Sequence, residues 1–551
     1  MTIPFSLLSE RWLPVRLASG ARALIAPAEL TAGLDTDPVV AFDWPRPDFD
    51  AAARELLIGL LATTCWREAL TFKSWVAWWR KPPPPAELAE RFAPFSRAFE
   101  LDGSGPRFLQ DLDALEDKGI ENEVGALLID IPSHFIRRDA AIRFDRATAA
   151  MALFTLQCFA PAGGRGNLTS LRGGGPMTTL VMPGEAGTTL WQTLWLNTTW
   201  KPDWGDPAAT PERIFPWLAP TRVSDKGEVT TPGDVHPAQV YWGMPRRIRL
   251  IFAANGAGTP CALTGRVDRV VVTGYRSRPS GTKYAAWSLA HPLSPYYRQK
   301  KGDEEWLPLH PQLERPSYRD WIGLALADDG RRTETRRAPA AVVKIAGQRL
   351  GTLELAASRL LASGFDMDNM KPRGFVESEM PLPVIGDGIR DSFDPLVRSL
   401  VFGAREAAGL LSLAVGKALS SGELPESGKS DRQLSRDRFW DRTEAAFFTA
   451  VAGLPARLTA VVADDQALQA LVLAERREWL RHLRGAALAL FEVLVPLDAI
   501  EARADQRLVG ARRDLITALN GYGKGGQALY GALNLPLPEG GKKKGKGSKS
   551  A

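Results

Sequence analysis

The sequence changes character abruptly near residues 386–393, and this break limits the possible folds more than any other feature. Before the break, glycine and proline are dense, and short apolar runs alternate with turn residues. After it, alanine, leucine and arginine dominate. Alternating short runs are typical of mixed structure, whereas long alanine- and leucine-rich stretches predict helices. We therefore predict an α+β fold with a large mixed N-terminal domain over residues 1–385 and a helical domain over residues 386–535.

The helical domain is predicted to be a four-helix bundle. Its four helical stretches are Pro395–Leu419, Asp431–Val451, Ala463–Leu494 and Ile500–Leu519. The connections are mostly short, so neighbouring helices should run antiparallel. One face of the third stretch carries apolar residues at helical spacing: Leu468, Val472, Trp479, Leu483, Leu490 and Leu494. Residues 536–551 form a lysine- and glycine-rich tail that cannot bury a core, and we expect it to be disordered.

Within the mixed domain, two stretches predict amphipathic or buried helices, Glu55–Ala69 and Arg146–Phe159. Arg266–Val272 alternates in the manner of a strand, and the following Thr273 and Gly274 indicate a turn.

Cysteine usage and hydropathy exclude several classes of protein. The three cysteines, Cys65, Cys158 and Cys261, lie far apart, which excludes a disulfide framework and a four-cysteine zinc site. No apolar run approaches the ~20 residues needed to cross a bilayer, and no secretory signal is recognisable. The sequence predicts a soluble, cytoplasmic protein of a reducing compartment with no membrane partner.

The net charge of +6 comes almost entirely from the C-terminal tail. Removing the five lysines of Gly541–Ala551 from the 69 basic residues leaves 64 against 63 acidic residues. The body of the protein is thus nearly neutral. Nucleic-acid binding would have to come from local basic patches rather than from overall charge.

The sequence contains no recognisable catalytic motif. None of its five histidines pairs with another at metal-ligand spacing, and it lacks a phosphate-binding loop and a nucleophile elbow. Scattered carboxylates are far more often surface groups than catalytic ones. We therefore predict that the protein is not an enzyme and holds neither a metal nor a cofactor.

Two glycine clusters follow the second predicted helix, Gly163–Asn167 and Leu171–Pro176, and each carries an arginine. Glycine allows the backbone to approach a ligand that a side chain would block, and arginine supplies charge for a phosphate. The alternative is a pair of tight turns leading into a strand at Thr178–Met182.

A basic segment, Tyr275–Arg278, continues through Gly281 to Lys283 and Tyr284. Basic residues on a loop beside aromatic residues suit contact with phosphates or base edges. The alternative is a solvated loop.

A third segment, Gly364–Pro372, has no strong periodicity. Asn369 can both donate to and accept from a base edge, and Met370 is a candidate apolar wedge between base steps. The alternative is an Asx-type turn closing a strand.

Together and in this order, these segments resemble the CasA family, the large subunit of the type I-E CRISPR surveillance complex Cascade. The matching blocks are Trp12–Val15, Ala149–Gln157, Gly163–Gly164, Leu171–Gly174, Thr178–Thr179, Thr273–Tyr275, His291–Pro295, Gly364–Lys371 and Phe439–Trp440 with Glu444. The Gly364–Lys371 block is the most specific, and the ordered set covers most of the chain.

The resemblance implies a non-catalytic subunit that reads the protospacer-adjacent motif (PAM) of duplex DNA through the minor groove. Such a subunit helps to open the duplex and recruits the helicase–nuclease. Its implied partners are the 5′ handle of the guide RNA, double-stranded target DNA, the helicase–nuclease, and the backbone, handle-binding and small subunits of Cascade.

The resemblance also implies roles for individual residues. The DNA- and PAM-binding residues are Gly163, Gly164, Arg165, Gly166 and Asn167 in a glycine loop, Arg276, Arg278 and Lys283 as candidates for a basic finger, and Asn369, Met370 and Lys371 in a wedge. The candidate RNA-handle residues are His134, Phe135, Arg137 and Arg138, within the loop Ile131–Phe144.

One stretch departs from the family pattern. Some members hold a cysteine zinc site before the Thr273–Tyr275 block, but here only Cys261 lies in that region. We predict no zinc, with Asn255–Thr264 stabilised by packing instead.

Two other functions compete with PAM reading. A structural scaffold of a ribonucleoprotein would use its bundle to bridge subunits, and its glycine clusters would be turns only. A metal-dependent nuclease would use carboxylates of the mixed domain, although the histidine and cysteine counts do not favour it.

Overall fold

In the computed structural model, the chain divides into two units: Met1–Pro316 with Gly323–Leu382, and Ser317–Ile322 with Pro383–Ala551. The structure describes residues 4–129, 142–164, 166–299, 305–312, 315–330, 332, 335–353, 355, 358–368, 370–419, 427–495 and 502–539. The lysine-rich tail predicted over residues 536–551 therefore lies outside the described residues beyond position 539.

The first unit contains all the described strands. They are Leu13–Leu17 (β1), Arg22–Ile25 (β2), Val39–Phe42 (β3), Ile120–Glu123 (β4), Phe144–Asp145 (β5), Thr178–Pro183 (β6), Arg247–Ala254 (β7), Val270–Arg278 (β8), Tyr296–Gln299 (β9), Leu307–Pro308 (β10), Thr335–Ala338 (β11), Ser358–Asp368 (β12) and Lys371–Pro381 (β13). They form small antiparallel sheets, three of them in the orders β2-β1-β3, β10-β9-β11 and β13-β12-β6. In the fourth sheet, β4 and β5 pair with successive stretches along one edge of β8, and β7 pairs along its other edge.

The helices before residue 383 are mostly short. They are Pro47–Thr64 (α1), Trp66–Leu70 (α2), Phe72–Arg80 (α3), Pro85–Phe92 (α4), Arg146–Phe159 (α5), Leu190–Leu196 (α6), Pro211–Ile214 (α7), Trp321–Leu324 (α8) and Ala341–Thr352 (α9). Helices and small sheets share this unit, so the predicted α+β class is confirmed.

Helix α5 matches its predicted range because the local signals are strong. The Asp145 carboxylate accepts a hydrogen bond from the Thr148 N–H at 2.6 Å, which caps the helix. The helix is buried over almost its whole length and packs against α1. Helix α1 begins at Pro47, earlier than predicted, because proline suits the first helical position. The predicted helix Glu55–Ala69 is interrupted at Cys65, between α1 and α2.

The predicted turn at Thr273 and Gly274 is wrong, because both residues lie inside β8. The register between β7 and β8 shifts there, so the residues form a bulge rather than a chain reversal. A Cβ on Gly274 would lie 2.5 Å from the Asn122 carbonyl oxygen in β4. Glycine is therefore needed here so that two strands can approach closely. A glycine in the sequence is equally compatible with a turn, so the sequence alone could not separate the two.

The second unit is helical, with Asp387–Leu419 (α10), Ser427–Val461 (α11), Asp465–Leu494 (α12), Ala502–Leu519 (α13) and Gly523–Ala532 (α14). The four long helices correspond to the four predicted stretches. Helix α14 was not predicted, because its glycines at 523, 525, 526 and 531 disfavour a helix. Helix α10 packs against each of the other four.

Helix α11 continues ten residues past its predicted end because it tolerates Pro455 in its interior. Proline removes one backbone donor and normally ends a helix nearby. The Arg457 side chain donates to the Ala450 carbonyl at 3.1 Å, next to the Val451 carbonyl that Pro455 leaves without its helical donor.

A short segment from the middle of the sequence also belongs to the helical unit. Tyr318 stacks on Phe447 with ring centroids 4.4 Å apart, and its hydroxyl lies 2.6 Å from the Thr443 Oγ1. The sequence break near residue 386 gives no hint of this insertion.

By length and composition alone, α10 could cross a membrane. However, 72% of its most apolar stretch is buried in the protein, as in the core helix of a bundle, so this is weak evidence for a membrane span.

Candidate nucleic-acid interface

The glycine loop Gly163–Asn167 is a tight, internally bonded turn. The Gly163 N–H donates to the Asn167 carbonyl at 3.0 Å, and the Asn167 side-chain amide donates back to the Gly163 carbonyl at 2.9 Å. Gly164 and Gly166 have φ values of +77° and +84°, a conformation that favours glycine. Two hydrogen bonds therefore hold the two ends of the loop together. Arg165 lies outside the described residues.

The two glycines with positive φ differ in the space around them. A Cβ on Gly166 would lie 2.3 Å from the Pro279 Cβ, so this glycine is needed for packing. A Cβ on Gly164 would meet nothing within 4 Å. Gly164 is exposed and forms the open tip of the loop, where another molecule could lie against bare backbone.

The glycine loop contacts residues 280–283, the Lys283 segment. The Ser280 N–H donates to the Gly166 carbonyl at 2.9 Å. Gly281 in turn packs against Pro245, whose carbonyl oxygen would lie only 2.0 Å from a Cβ at that position. Two of the three segments selected from the sequence are thus in direct contact.

The second glycine cluster serves an internal role, which is the tight-turn alternative of the two that the sequence left open. The Arg172 side chain is 3% exposed and forms a 2.7 Å ion pair with Glu55, which is 4% exposed. Arg172 also donates to Thr178 and Ser294 at 2.9 and 3.1 Å. A buried, fully engaged guanidinium cannot reach nucleic acid, so the tight-turn alternative describes this cluster.

Arg276 and Arg278 do not lie on a loop, as the sequence suggested, but inside the strand β8. Arg276 pairs with Glu121 at 3.1 Å on the neighbouring strand, and Arg278 pairs with Asp113 at 3.3 Å. Both side chains are about 30% exposed. Their charges are therefore already balanced by carboxylates.

Lys283 is exposed and has no ion-pair partner among the residues that the structure describes. Its backbone is held in place, since its carbonyl accepts from the Thr230 N–H at 2.7 Å. The next residue, Tyr284, is half-buried, and its hydroxyl accepts from the Met244 N–H at 3.0 Å. Lys283 is thus a free cation on a fixed backbone.

The described residues of the third segment lie at the end of a long hairpin. Strands β12 and β13 pair over their whole length, and Asp368 lies opposite Lys371 at the turn. Met370 is 54% exposed at this tip, and Lys371 is also exposed. Asn369 lies outside the described residues.

An ion pair joins β12 to β13 close to the tip of the hairpin. Arg373 donates twice to the Asp366 carboxylate, with both distances 2.7 Å, and the Asp366 side chain is 1% exposed. The register shifts between Asp366 and Met367, so the pair spans a bulge. Such a bidentate pair fixes the direction of the tip.

The second glycine cluster joins the hairpin to the glycine loop. A Cβ on Gly175 would lie 2.5 Å from the Phe365 carbonyl oxygen and 2.7 Å from the Met367 side chain. A Cβ on Gly174 would lie 2.9 Å from the Pro161 Cα, at the base of the glycine loop. The hairpin, the glycine loop and the Lys283 segment therefore form one continuous stretch of structure.

Two other regions were singled out in the sequence, the RNA-handle loop and the stretch Asn255–Thr264. The handle candidates His134, Phe135, Arg137 and Arg138 lie outside the described residues. In the region expected to be stabilised by packing, the Asn255 side chain donates to the Thr259 and Asp268 carbonyls and accepts from the Thr259 N–H, all at 2.8–2.9 Å. Among described residues, no cluster of three metal-ligating side chains occurs.

Sequence reasoning missed Arg246, whose guanidinium donates to the Pro161 and Leu168 carbonyls on either side of the glycine loop. Its acceptors are backbone groups some 80 residues away in the sequence, and such contacts leave no sequence pattern.

Comparison with known proteins identifies the family. The model of the family "CRISPR-associated protein Cse1" matches residues 6–490. The Cse1 structure from Acidimicrobium ferrooxidans is 19% identical, with a TM-score of 0.67 over 97% of this chain and 99% of that one. Thermus thermophilus CasA (Cse1) is 21% identical, with a TM-score of 0.66 over 93% and 99%. Comparison with curated protein sequences gives no match.

A chain of a structure titled "CRISPR RNA-guided surveillance complex" is also similar, at 17% identity and a TM-score of 0.64 over 94% of this chain and all of that one. At these identities the structural likeness establishes the fold alone. The family model, however, spans most of the sequence. The predicted resemblance is therefore confirmed, and this chain belongs to the Cse1 family, also named CasA.

Proposed function

We propose that this chain is the non-catalytic large subunit of a type I-E CRISPR surveillance complex that reads the PAM on duplex DNA through the minor groove. The observation that carries the proposal is the contiguity of three elements: the glycine loop, the Lys283 segment and the β12–β13 hairpin. Each offers a different kind of contact, and they lie side by side on one unit. Family membership and the similarity to a chain of a surveillance complex support the same role.

The glycine loop is suited to a narrow groove. At the Gly164 tip the backbone is exposed and has no side chain, so it can enter a minor groove only ~6 Å wide. The minor groove distinguishes A·T from G·C but little else. A backbone reader of this kind should therefore tolerate several PAM sequences.

Lys283 is our choice for the basic finger among the three candidates. Arg276 and Arg278 would have to break ion pairs to reach DNA, whereas Lys283 has no such pair among the described residues. A free cation releases DNA counterions without first losing an internal partner.

We expect Lys283→Ala to weaken binding of PAM-bearing duplex by the assembled complex about tenfold and to reduce the salt slope by about one. Arg278→Ala removes a cation of similar position that is already neutralised by Asp113, and should change both quantities little. Binding isotherms at several salt concentrations measure both effects. A larger loss of affinity for Arg278→Ala than for Lys283→Ala would show that Arg278, and not Lys283, is the basic finger.

The hairpin tip is suited to opening the duplex. Met370 offers an exposed apolar side chain, Lys371 a charge, and Asn369 a group that can bond to base edges. Unstacking one base step costs about a few kcal/mol. Pairing of the guide with the target strand offsets that cost once opening begins.

The remaining roles follow from the family and are part of the same proposal. The chain would contact the 5′ handle of the guide RNA through residues 131–144, pack against the other Cascade subunits, recruit the helicase–nuclease and work in the cytoplasm. None of these roles requires a catalytic group on this chain.

The proposal is tested by measuring DNA binding to guide-loaded complexes with and without this chain. Duplexes carrying a PAM or a scrambled PAM would be compared, with 2-aminopurine beside the PAM to report opening. We expect tight, PAM-dependent binding and fluorescence gain only when the chain is present. If the chain stabilises the complex but alters neither signal, it is a structural scaffold and the proposal fails.

A further inference from the structure

Arg246 closes the base of the glycine loop. Its Nη2 donates to the Pro161 carbonyl, and its Nε donates to the Leu168 carbonyl at 3.4 Å. These acceptors flank Gly163–Asn167, so one planar guanidinium bridges the two ends of the loop. Its own backbone is fixed as well, because Gln157 both accepts from the Arg246 N–H at 3.1 Å and donates to its carbonyl at 3.0 Å.

Arg246 also lies where the two DNA-facing loops meet. The preceding residue, Pro245, packs against Gly281 of the Lys283 segment. The Nη2 of Arg246 lies 3.4 Å from the position that a Cβ on Gly163 would take. The guanidinium is thus directly beneath the glycine loop.

The charge of Arg246 has no carboxylate partner in the described part of the chain. This sets it apart from its neighbours, since Arg247 pairs with Asp111 at 2.5 Å and Arg278 pairs with Asp113 at 3.3 Å. Burial lowers the pKa of Arg246 from its usual value because the charged form is partly desolvated. Arginine nevertheless stays protonated at neutral pH.

Two carbonyls satisfy the hydrogen bonds of Nε and Nη2 but do not neutralise the charge. The remaining nitrogen, Nη1, has no hydrogen-bond partner among the described residues. A partly buried cation without a counter-ion is costly unless something compensates for it. An anion placed against the loop would supply that compensation.

We propose that Arg246 positions the glycine loop for PAM reading and supplies, through Nη1, a contact to a DNA backbone phosphate beside the loop. This inference rests on the proposed function, because it assumes that duplex DNA lies against the loop. The two roles need different properties of the side chain. Positioning needs the planar, two-pronged donor, whereas the phosphate contact needs only the charge.

Two substitutions separate the roles. Arg246→Gln removes the charge, and we expect it to weaken binding of PAM-bearing duplex about tenfold and to lower the salt slope by about one. Arg246→Lys keeps the charge but cannot bridge the two carbonyls in the same way. Arg246→Lys should keep the wild-type salt slope but reduce the discrimination between PAM-bearing and scrambled duplexes.

Arg249→Gln is the matched control. Arg249 lies three residues further along, is also partly buried, and donates to a backbone carbonyl, that of Asp111, at 2.9 Å. Burial lowers its pKa to about 10. Arg249→Gln should leave the salt slope, the discrimination between duplexes and guide loading unchanged. Guide loading should also be unchanged in both Arg246 variants.

The outcomes distinguish failure of this inference from failure of the proposed function. If Gly164→Asp abolishes PAM binding while Arg246→Gln keeps the wild-type slope and affinity, the phosphate contact is wrong and the function stands. If wild-type complex shows no PAM dependence, the proposed function fails first. If Arg246→Gln does not assemble, Arg246→Lys decides, because unchanged discrimination there contradicts the positioning role. Loss of guide loading would place the contacted phosphate on RNA, which also overturns the inference.

Discussion

Replacing Gly164 by aspartate should reduce the affinity of the assembled complex for PAM-bearing duplex by roughly 100-fold or more. The added carboxylate would lie at the exposed tip of the glycine loop, where the proposed function places the DNA phosphates. Two like charges ~4 Å apart near a protein surface repel by about 4 kcal/mol, and ~2.7 kcal/mol already corresponds to 100-fold. Filter binding or interferometry with labelled duplex measures the change directly.

Gly187→Asp is the matched control for this substitution. Gly187 also has a positive φ, +81°, is exposed, and would place a new Cβ in open space. Both variants therefore add the same charge and the same backbone strain. Gly187 follows β6 at the end that pairs with Ser358, away from the hairpin tip. Equal losses in both variants would mean that charge anywhere on the unit weakens binding, and the glycine loop would lose its assigned role.

Local sequence signals predicted helices well but failed where contacts are distant. Helix α5 was predictable because its cap, Asp145, and its continuous apolar run are adjacent in the sequence. The ion pairs of Arg276 and Arg278 were not, because Glu121 and Asp113 lie more than 150 residues away. The basic segment therefore looked like a free loop, although its arginines are neutralised in a central strand.

The hairpin strand β12 was missed for a different reason. A half-buried strand alternates polar and apolar residues, but β12 is buried on both faces from Leu360 to Asp366. The polar Asp366 fits this environment only because Arg373 pairs with it across the bulge. The segment thus showed no period, and the resemblance to a family was a better guide to it than periodicity.

The division of roles between the glycine clusters shows what the sequence left open. Both clusters carry arginine between or beside glycines, so residue type alone made each a candidate for contact with a phosphate. Only the three-dimensional position of Glu55 distinguishes them, because it draws Arg172 into the interior. The first cluster instead has a partly buried arginine, Arg246, contributed by a distant segment.

The Arg172–Glu55 pair provides the largest expected effect on stability. Removing one partner of a buried ion pair leaves the other charge unpaired, which typically costs about 3–5 kcal/mol. We expect Arg172→Met to destabilise the first unit by about this amount, because Glu55 would keep only its bond from Thr178. Denaturant unfolding followed by tryptophan fluorescence suits the test, since most tryptophans precede residue 317.

Two further variants make the test specific to the ion pair. In the double variant Glu55→Gln with Arg172→Met, no buried charge is left unpaired, so it should be more stable than Arg172→Met alone. Arg359→Met removes one partner of the exposed ion pair between Arg359 and Glu379, and should lower the free energy of unfolding by at most about 1 kcal/mol.

Since the second glycine cluster packs against both the hairpin and Pro161, Arg172→Met should also weaken PAM binding by complexes that contain the folded variant. A double variant no more stable than Arg172→Met would show that packing, rather than charge, makes Arg172 necessary.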